Sequence, residues 1–186
     1  MPYPAKTNRE AILAVAIDQL ARDGMQGLSL RAIAAALDLA PNALYRYYAD
    51  RDVLMAAIAD EGARRLLVSL REAVGVATGV EAIHILAQKY LDFARAHPEL
   101  YQVVMTKHEA LAGRSTAYDE LWPFVVGVLR PIAGERNAPQ AAVVLWSFLH
   151  GIFEIEVADL FHEGKPRDGV TFGLEAFLGG IQRPSS

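Results

Sequence analysis

The stretch LSLRAIAAALDLAPNALYRYYADRDVL, residues 28–54, contains two short helical patterns on either side of a tight break. Ser29 stands where an N-cap residue would open the first helix, since its hydroxyl can accept from amides one turn further on. Asp38 tolerates the left-handed conformation of a turn, and Pro41 suits the first position of a helix. We therefore predict a second short helix from Pro41 to about Tyr47.

Longer helical patterns flank the two short ones. The apolar residues between Asn8 and Asp23 recur at spacings of three and four, which is typical of one amphipathic helix. On the other side, Asp50 can cap a long helix that begins at about residue 51. Two short helices with a tight break, braced by a helix before and another after, predict a helix-turn-helix.

The second short helix would be the part of this motif that reads DNA. A helix about 10 to 12 Å across fits the major groove, and its first turn would face the base edges with Pro41, Asn42 and Ala43. Asn42 can bond adenine through a donor and an acceptor, and Arg46 can bond guanine or a phosphate. The hydroxyls of Tyr45 and Tyr47 can reach phosphate oxygens. From spacing alone, a plain helical hairpin with half-buried tyrosines is the alternative.

The first 60 or so residues resemble the DNA-binding domain of TetR-family transcriptional repressors. The resemblance is carried by Ser29 before RAIAAAL, the Leu44-Tyr45 pair, the Tyr47-Tyr48 pair, and Arg51 before Leu54. It implies phosphate contacts from Ser29, Arg31, Tyr45, Tyr47 and Arg51, and contacts with bases from Pro41, Asn42, Ala43 and Arg46. It also implies that Leu44 and Tyr48 belong to the core.

Three departures from the family's pattern concern the strength of DNA binding. Asp38 replaces the usual turn glycine, and Ala40 removes the usual serine or threonine cap. Acidic Asp50 and Asp52 flank Arg51. A missing cap and added negative charge predict a lowered affinity for DNA.

Composition limits the possible functions. The 186 residues are 53% hydrophobic, carry a net charge of −4 and include no cysteine, which excludes disulfides and suits a cytoplasmic protein. No apolar run reaches the length of a membrane span, and no signal-peptide pattern follows the N-terminus. The acidic balance alone argues against broad nucleic-acid binding. However, residues 1–51 hold six Lys and Arg against five Asp and Glu, so the front is the less acidic part.

Beyond about residue 60 the chain continues as helical patterns separated by breaks. Five more helices follow, which gives an all-α fold of about nine helices, because no alternating strand pattern occurs. We predict a helix-turn-helix DNA-binding domain over residues 1–50 and a larger ligand-binding and dimerisation domain over residues 51–186. The long helix from about residue 51 would link them.

The last two predicted helices, 139–162 and 168–181, are apolar on more than one face. A partner surface explains this pattern. In the resembled family these helices form a four-helix dimer interface, which implies a homodimer on a palindromic operator. Trp146, His150 and Gly151 also resemble a Trp/His-Gly signature found in one subgroup of the family.

A ligand-responsive regulator needs an effector site, and polar or aromatic residues on otherwise apolar helices are its candidates: His84, Tyr101, His108, Trp122, Trp146, His150 and Glu154. An aromatic-lined cavity would favour a small hydrophobic or aromatic effector. Aromatic residues at these positions also suit a plain core, and His150 with Glu154 suits a satisfied buried pair. The His-Glu pairs in KHEAL and FHEG lack the second histidine of a zinc hydrolase.

We therefore expect a cytoplasmic, homodimeric, ligand-responsive transcriptional repressor that binds double-stranded DNA. We expect no membrane segment, cofactor, metal site or catalytic residue. The competing hypothesis is an all-α enzyme or small-molecule carrier that keeps the helix-turn-helix as a scaffold, as the acidic balance and the His150/Glu154 pair suggest. A purely structural interaction module is the third possibility.

Overall fold

In a computed structural model of the chain, residues 7–106, 108–112, 116–160 and 169–181 are described. Every regular element in these ranges is a helix: α1 (Arg9–Gly27), α2 (Leu30–Ala36), α3 (Pro41–Leu44), α4 (Arg51–Val74), α5 (Gly79–Ala96), α6 (Pro98–Val104), a 3₁₀ turn (Glu109–Leu111), α7 (Tyr118–Val157) and α8 (Gly169–Ile181). The all-α prediction is confirmed. Two predicted helices are joined in α7, which leaves helical geometry at Gly134 with φ 75° and ψ 162°.

The described residues group into two compact units. The first unit comprises the residues up to Arg65 together with those from His97 to Tyr118. The second unit comprises Leu66–Ala96 and the residues from Asp119 onward. Helix α6 therefore groups with the helix-turn-helix, whereas α4 contributes residues to both units.

The core of the first unit is built from apolar side chains on five helices, and it is closed by fully buried Ile12, Leu20, Ile33, Leu44, Ile58 and Tyr101. A Cβ at Gly62 of α4 would lie 2.5 Å from Val104 Cγ2 and 2.9 Å from Leu100 Cδ1 of α6. Only glycine therefore fits at this contact between α4 and α6.

The chain segment just before α7 is attached to the first unit by two hydrogen bonds. The amide of Ala117 donates to Oδ1 of Asp60 at 2.7 Å, and the hydroxyl of Tyr118 donates to the carbonyl of Val104 at 2.8 Å. Burial raises the pKa of Tyr118 to about 12. The tyrosine is therefore neutral over the physiological range, and its proton is always available to the Val104 carbonyl.

In the second unit, α5 and both segments of α7 supply the core, which includes Ile83, Leu86, Leu91, Leu129, Leu145, Leu149 and Phe153. Arg95 of α5 forms two hydrogen bonds to the carboxylate of Glu156 of α7, at 2.7 and 2.8 Å. Helix α8 packs on α7 where Gly173 meets the Phe148 ring, since a Cβ at residue 173 would collide with that ring.

Helix α7 is the one helix in the described ranges that could cross a membrane by length and composition alone. Its most apolar 18-residue window has a mean hydropathy of 1.3 and is 28% buried. The sequence predicts no membrane span, and Gly134 divides this helix into two segments. An apolar helix that is mostly uncovered in a single chain also fits a surface that is covered by a partner protein.

Candidate nucleic-acid interface

The turn between α2 and α3 has the predicted geometry. Asp38 adopts the left-handed region with φ 52°, which aspartate tolerates better than most residues. The amide of Leu39 donates to the carbonyl of Ala34 at 2.9 Å, and this bond closes the turn. Pro41 occupies the first position of α3, and the preceding Ala40 supplies no side-chain cap.

Helix α3 is short, and it is anchored in the core of the first unit by its last residue and by a tyrosine beyond it. The helix ends at Leu44, earlier than predicted, and turns continue the chain to Tyr47. Leu44 and Tyr48 are buried, as the family resemblance implies. The Tyr48 hydroxyl donates to the carbonyl of Arg9 at 3.3 Å, and burial raises its pKa. Between these two anchors, Tyr45 and Arg46 are exposed, whereas Tyr47 is half-buried.

A cleft of about 470 Å³ opens where α2, α3 and the start of α4 meet. We call it the reading cleft, and its lining is Leu28, Ser29, Leu30, Arg31, Asn42, Tyr45 and Arg51. Five of the nine side chains that the sequence predicts to contact DNA therefore share one surface, although they come from three helices. The cleft carries two arginines and one hydroxyl on each of Ser29 and Tyr45, so it offers both positive charge and hydrogen-bond donors.

Five of the predicted contact residues are exposed to solvent. Tyr45 is 53% exposed, and Arg31, Asn42, Arg46 and Arg51 are exposed as well, whereas Ser29, Ala43 and Tyr47 are partly exposed. Pro41 lies at the start of α3 beside Asn42. Tyr45 exposes its ring beside polar neighbours, an arrangement that favours a contact surface over a core position.

The predicted N-cap hydrogen bond of Ser29 is absent from the described ranges. Ser29 occupies the N-cap position of α2, but its side chain forms no capping hydrogen bond with the described part of the chain. The carbonyl of Ser29 accepts from the amide of Ile33 at 3.0 Å, so the backbone alone starts the helix. Ser29 belongs to the lining of the reading cleft, and its side chain does not cap α2.

Tyr47 and Arg51 have intramolecular partners that the sequence did not indicate. The Tyr47 hydroxyl donates to the carbonyl of Thr7 at 3.0 Å, so its proton must leave Thr7 before it can bond a phosphate. Arg51 donates through Nη2 to the carbonyl of Met25, in the last turn of α1. Since a guanidinium has five N–H groups, Arg51 keeps further donors for a second acceptor.

The seven effector candidates are divided between the two units. Tyr101 is fully buried in the first unit, where His108 also lies with its Nε2 2.9 Å from the carbonyl of Val103. In the second unit His84 is exposed, and its Nδ1 lies 2.9 Å from the carbonyl of Val80. Trp122 and Trp146 are 41% and 44% exposed.

Three effector candidates share one side of α7. The ring centroids of Trp146 and His150 are 6.4 Å apart, and Glu154 follows one turn later, at the same spacing along the helix. Across the described ranges no group of three or more His, Cys, Asp or Glu residues has the arrangement of a metal site. This side of α7 therefore offers an aromatic ring, an imidazole and a carboxylate to a ligand.

The fold and the reading cleft define a helix-turn-helix transcriptional regulator. The profile described as "Bacterial regulatory proteins, tetR family" matches residues 12–58. The profile described as "Tetracyclin repressor-like, C-terminal domain" matches residues 83–177. The chain therefore belongs to the TetR family of bacterial transcriptional regulators.

Individual relatives agree with this assignment. The chain is 25% identical over 177 residues to the uncharacterised HTH-type transcriptional regulator YobS of Bacillus subtilis (strain 168), which covers 93% of this chain and 92% of YobS. A Rhodococcus sp. RHA1 protein of unknown function has a similar structure, with a TM-score of 0.78 and 26% identity over 98% of this chain and 100% of that protein. BioQ, solved with its double-stranded DNA operator, shares the fold with a TM-score of 0.68 and 23% identity over 95% and 98% of the two chains.

Proposed function

We propose that this protein is a cytoplasmic, homodimeric repressor that binds a palindromic operator and is switched by a small hydrophobic or aromatic effector. The observation that carries the proposal is the reading cleft, which collects Ser29, Arg31, Asn42, Tyr45 and Arg51 from three helices on one accessible surface. This role requires no catalysis, and we propose that the protein is not an enzyme. The functional division would be residues 1–50 for DNA and residues 51–186 for effector and partner.

Each side chain of the DNA interface has a role that follows from its chemistry. Asn42 and Arg46 would bond base edges in the major groove, with Pro41 and Ala43 beside them. Positive charge and hydroxyl donors would contact phosphates, from Ser29, Arg31, Tyr45, Tyr47 and Arg51. Because the net charge of the chain is −4, binding depends on this local group of cations and not on a generally basic surface.

Dimerisation is supported by the uncovered faces of the second segment of α7 and of α8. Large apolar side chains are exposed there, with Phe172 at 75% and Val144 at 55%. Gly151, Gly179 and Gly180 lie in the same helices, and within the described ranges nothing lies within 4 Å of a Cβ built at any of them. A helical glycine costs roughly 1 kcal/mol relative to alanine, and a partner helix that packs closely against these positions would explain the cost. The predicted dimer helices, 139–162 and 168–181, contain all of these residues.

A two-fold dimer would place two copies of α3 about 34 Å apart, which matches one turn of B-form DNA. Its operator would be palindromic because each half-site meets the same reading cleft. The effector would act from the second unit, where His84, Trp122, Trp146, His150 and Glu154 are its candidate contacts. Effector binding would change DNA affinity only as far as the effector prefers one of two states.

Selection from a random duplex library, followed by sequencing and affinity measurement at two salt concentrations, tests the proposal. Recovery of one palindromic site with a steep salt dependence is expected. Arg46→Ala and Tyr45→Ala should weaken binding to that site while the dimer persists in sedimentation. A folded, dimeric wild-type protein that recovers no preferred site would rule the proposal out.

A further inference from the structure

Gln19 is a polar side chain in the buried face of α1. The residue is 6% exposed, and its Nε2 donates to the carbonyl of Gly27 at 3.2 Å. Its Oε1 is buried and has no hydrogen-bond partner in the described part of the chain. A buried acceptor without a partner costs about 1–3 kcal/mol, so methionine or leucine would suit this core position better. Packing therefore does not explain the glutamine.

The hydrogen bond from Gln19 holds the last turn of α1, beyond the kink in this helix. Gly24 leaves helical geometry with φ 67° and ψ 179°, and Leu28 and Ser29, which follow α1, are extended. In the last turn the carbonyl of Gly27 accepts from Gln19 and the carbonyl of Met25 accepts from Arg51. Two side chains, one from the body of α1 and one from α4, thus restrain the end of α1 that leads into α2.

The restrained segment leads directly into the reading cleft. Leu28, Ser29, Leu30 and Arg31 follow Gly27 in the chain and belong to the lining of the cleft. A shift of the Gly27 carbonyl would therefore move Ser29 and Arg31 relative to Asn42 and Tyr45, which line the same cleft.

We propose that Gln19 is a positioning residue for DNA binding, which holds the Gly27 carbonyl so that Ser29 and Arg31 meet phosphates in register with α3. The inference rests on the proposed function, because it assigns Gln19 a role only in a protein that binds DNA. Gln19 itself makes no DNA contact, since it is buried in α1.

The test compares Gln19→Met with the wild type on the operator recovered by selection. Gln88→Met is the matched control, since it removes a single side-chain hydrogen bond, to Asp92, from α5 in the second unit. Loss of one restraining hydrogen bond should weaken operator binding about three- to tenfold, while the control binds like the wild type. The slope of log affinity against log salt should stay at the wild-type value, because no phosphate contact is removed. Amide hydrogen exchange should become faster over residues 24–31, and the melting temperature should be equal or higher.

Wild-type affinity in Gln19→Met would overturn this inference alone. A melting temperature below that of the wild type, reproduced in Gln19→Leu, would overturn it too, because Gln19 would then be a structural residue. Failure of both variants to fold has the same meaning. Failure of the wild type to bind any duplex with sequence preference would instead remove the proposed function, and this inference with it.

Discussion

Arg51, the first residue of α4, donates a hydrogen bond from Nη2 to the main-chain carbonyl of Met25, 26 positions earlier in the chain. The same side chain lines the reading cleft. Its guanidinium can bond the carbonyl and a phosphate at once, because its five N–H groups point in several directions. Arg51 would then couple the last turn of α1 directly to the DNA backbone.

Arg51→Ala should lower operator affinity about 10-fold or more, as expected for the loss of a charge-assisted hydrogen bond. Because each protomer of the proposed dimer would lose one phosphate contact, the salt slope should fall by about 1.8. Arg51→Lys should keep the slope but recover only part of the affinity, because an ammonium cannot reproduce the planar fork. Arg64→Ala is the control, since Arg64 is an exposed α4 arginine paired with Glu61. An unchanged salt slope in Arg51→Ala would refute a phosphate contact.

Asn42→Ala should cost about 1–3 kcal/mol of discrimination at one base pair of each half-site. The physical reason is the loss of a side chain that offers a donor and an acceptor to the same adenine edge. Selection should recover a site that is relaxed at that position and otherwise unchanged, with the salt slope of the wild type. Uniform weakening across all sequences would show that Asn42 contacts the backbone instead.

Asp38→Asn should raise operator affinity modestly. The substitution removes a negative charge from the turn between α2 and α3, the helices that would carry DNA contacts, and keeps a residue that tolerates the observed φ of 52°. The gain should shrink as salt is raised, because the repulsion it removes is screened. Asp38→Ala separates charge from conformation, since alanine is disfavoured in the left-handed region and should lower the melting temperature. Equal affinity of Asp38→Asn and wild type at low salt would contradict this prediction.

Phe172→Asp should weaken the dimer by roughly 100-fold, because it places a charge in a surface that would be covered by the partner's apolar face. Gly151→Leu should act in the same direction by blocking the close approach of helices. Val76→Asp, at a fully exposed valine in the turn between α4 and α5, is the matched control and should leave the dimer intact. Sedimentation equilibrium over a range of concentrations measures the effect, and identical curves for Phe172→Asp and wild type would exclude this interface.

The stability of the folded chain should decrease with pH through the range in which Tyr118 titrates. Burial raises the pKa of Tyr118 from 10.0 to about 12, so the unfolded chain loses this proton first. The stability linked to this group is fully present below pH 10 and is lost between about pH 10 and 12. The denaturant midpoint of Tyr118→Phe should therefore fall less between pH 10 and 12 than that of the wild type. At neutral pH the variant should be less stable than the wild type, because the hydrogen bond to Val104 is absent.

Local features of the helix-turn-helix were predictable because they depend on neighbouring residues. The left-handed Asp38 and the start of α3 at Pro41 follow from the intrinsic preferences of those residues. Asp50 was predicted to cap α4, and its Oδ1 accepts from the amide of Val53 at 2.8 Å. Helix α7 leaves helical geometry at Gly134, where a glycine adopts a positive φ without the steric cost of a Cβ.

Contacts between distant parts of the chain could not be predicted. The bond from Tyr47 to Thr7 joins residues 40 positions apart, and that from Gln19 to Gly27 depends on a kink whose direction no periodicity indicates. The effector candidates show the same limit. Tyr101 was selected as an aromatic residue on an apolar helix, but it fills the core of the first unit, because residue type does not specify the direction of a side chain.

The two tryptophans of the chain, Trp122 and Trp146, both belong to the second unit and are each partly exposed. Among its described residues, the first unit has tyrosines at positions 45, 47, 48, 101 and 118 and no tryptophan. Excitation at a wavelength that tyrosine does not absorb would thus report on the effector and partner half of the molecule only. Titration with an effector should move the emission maximum, whereas operator DNA should leave it in place unless the switch carries a signal from one half to the other.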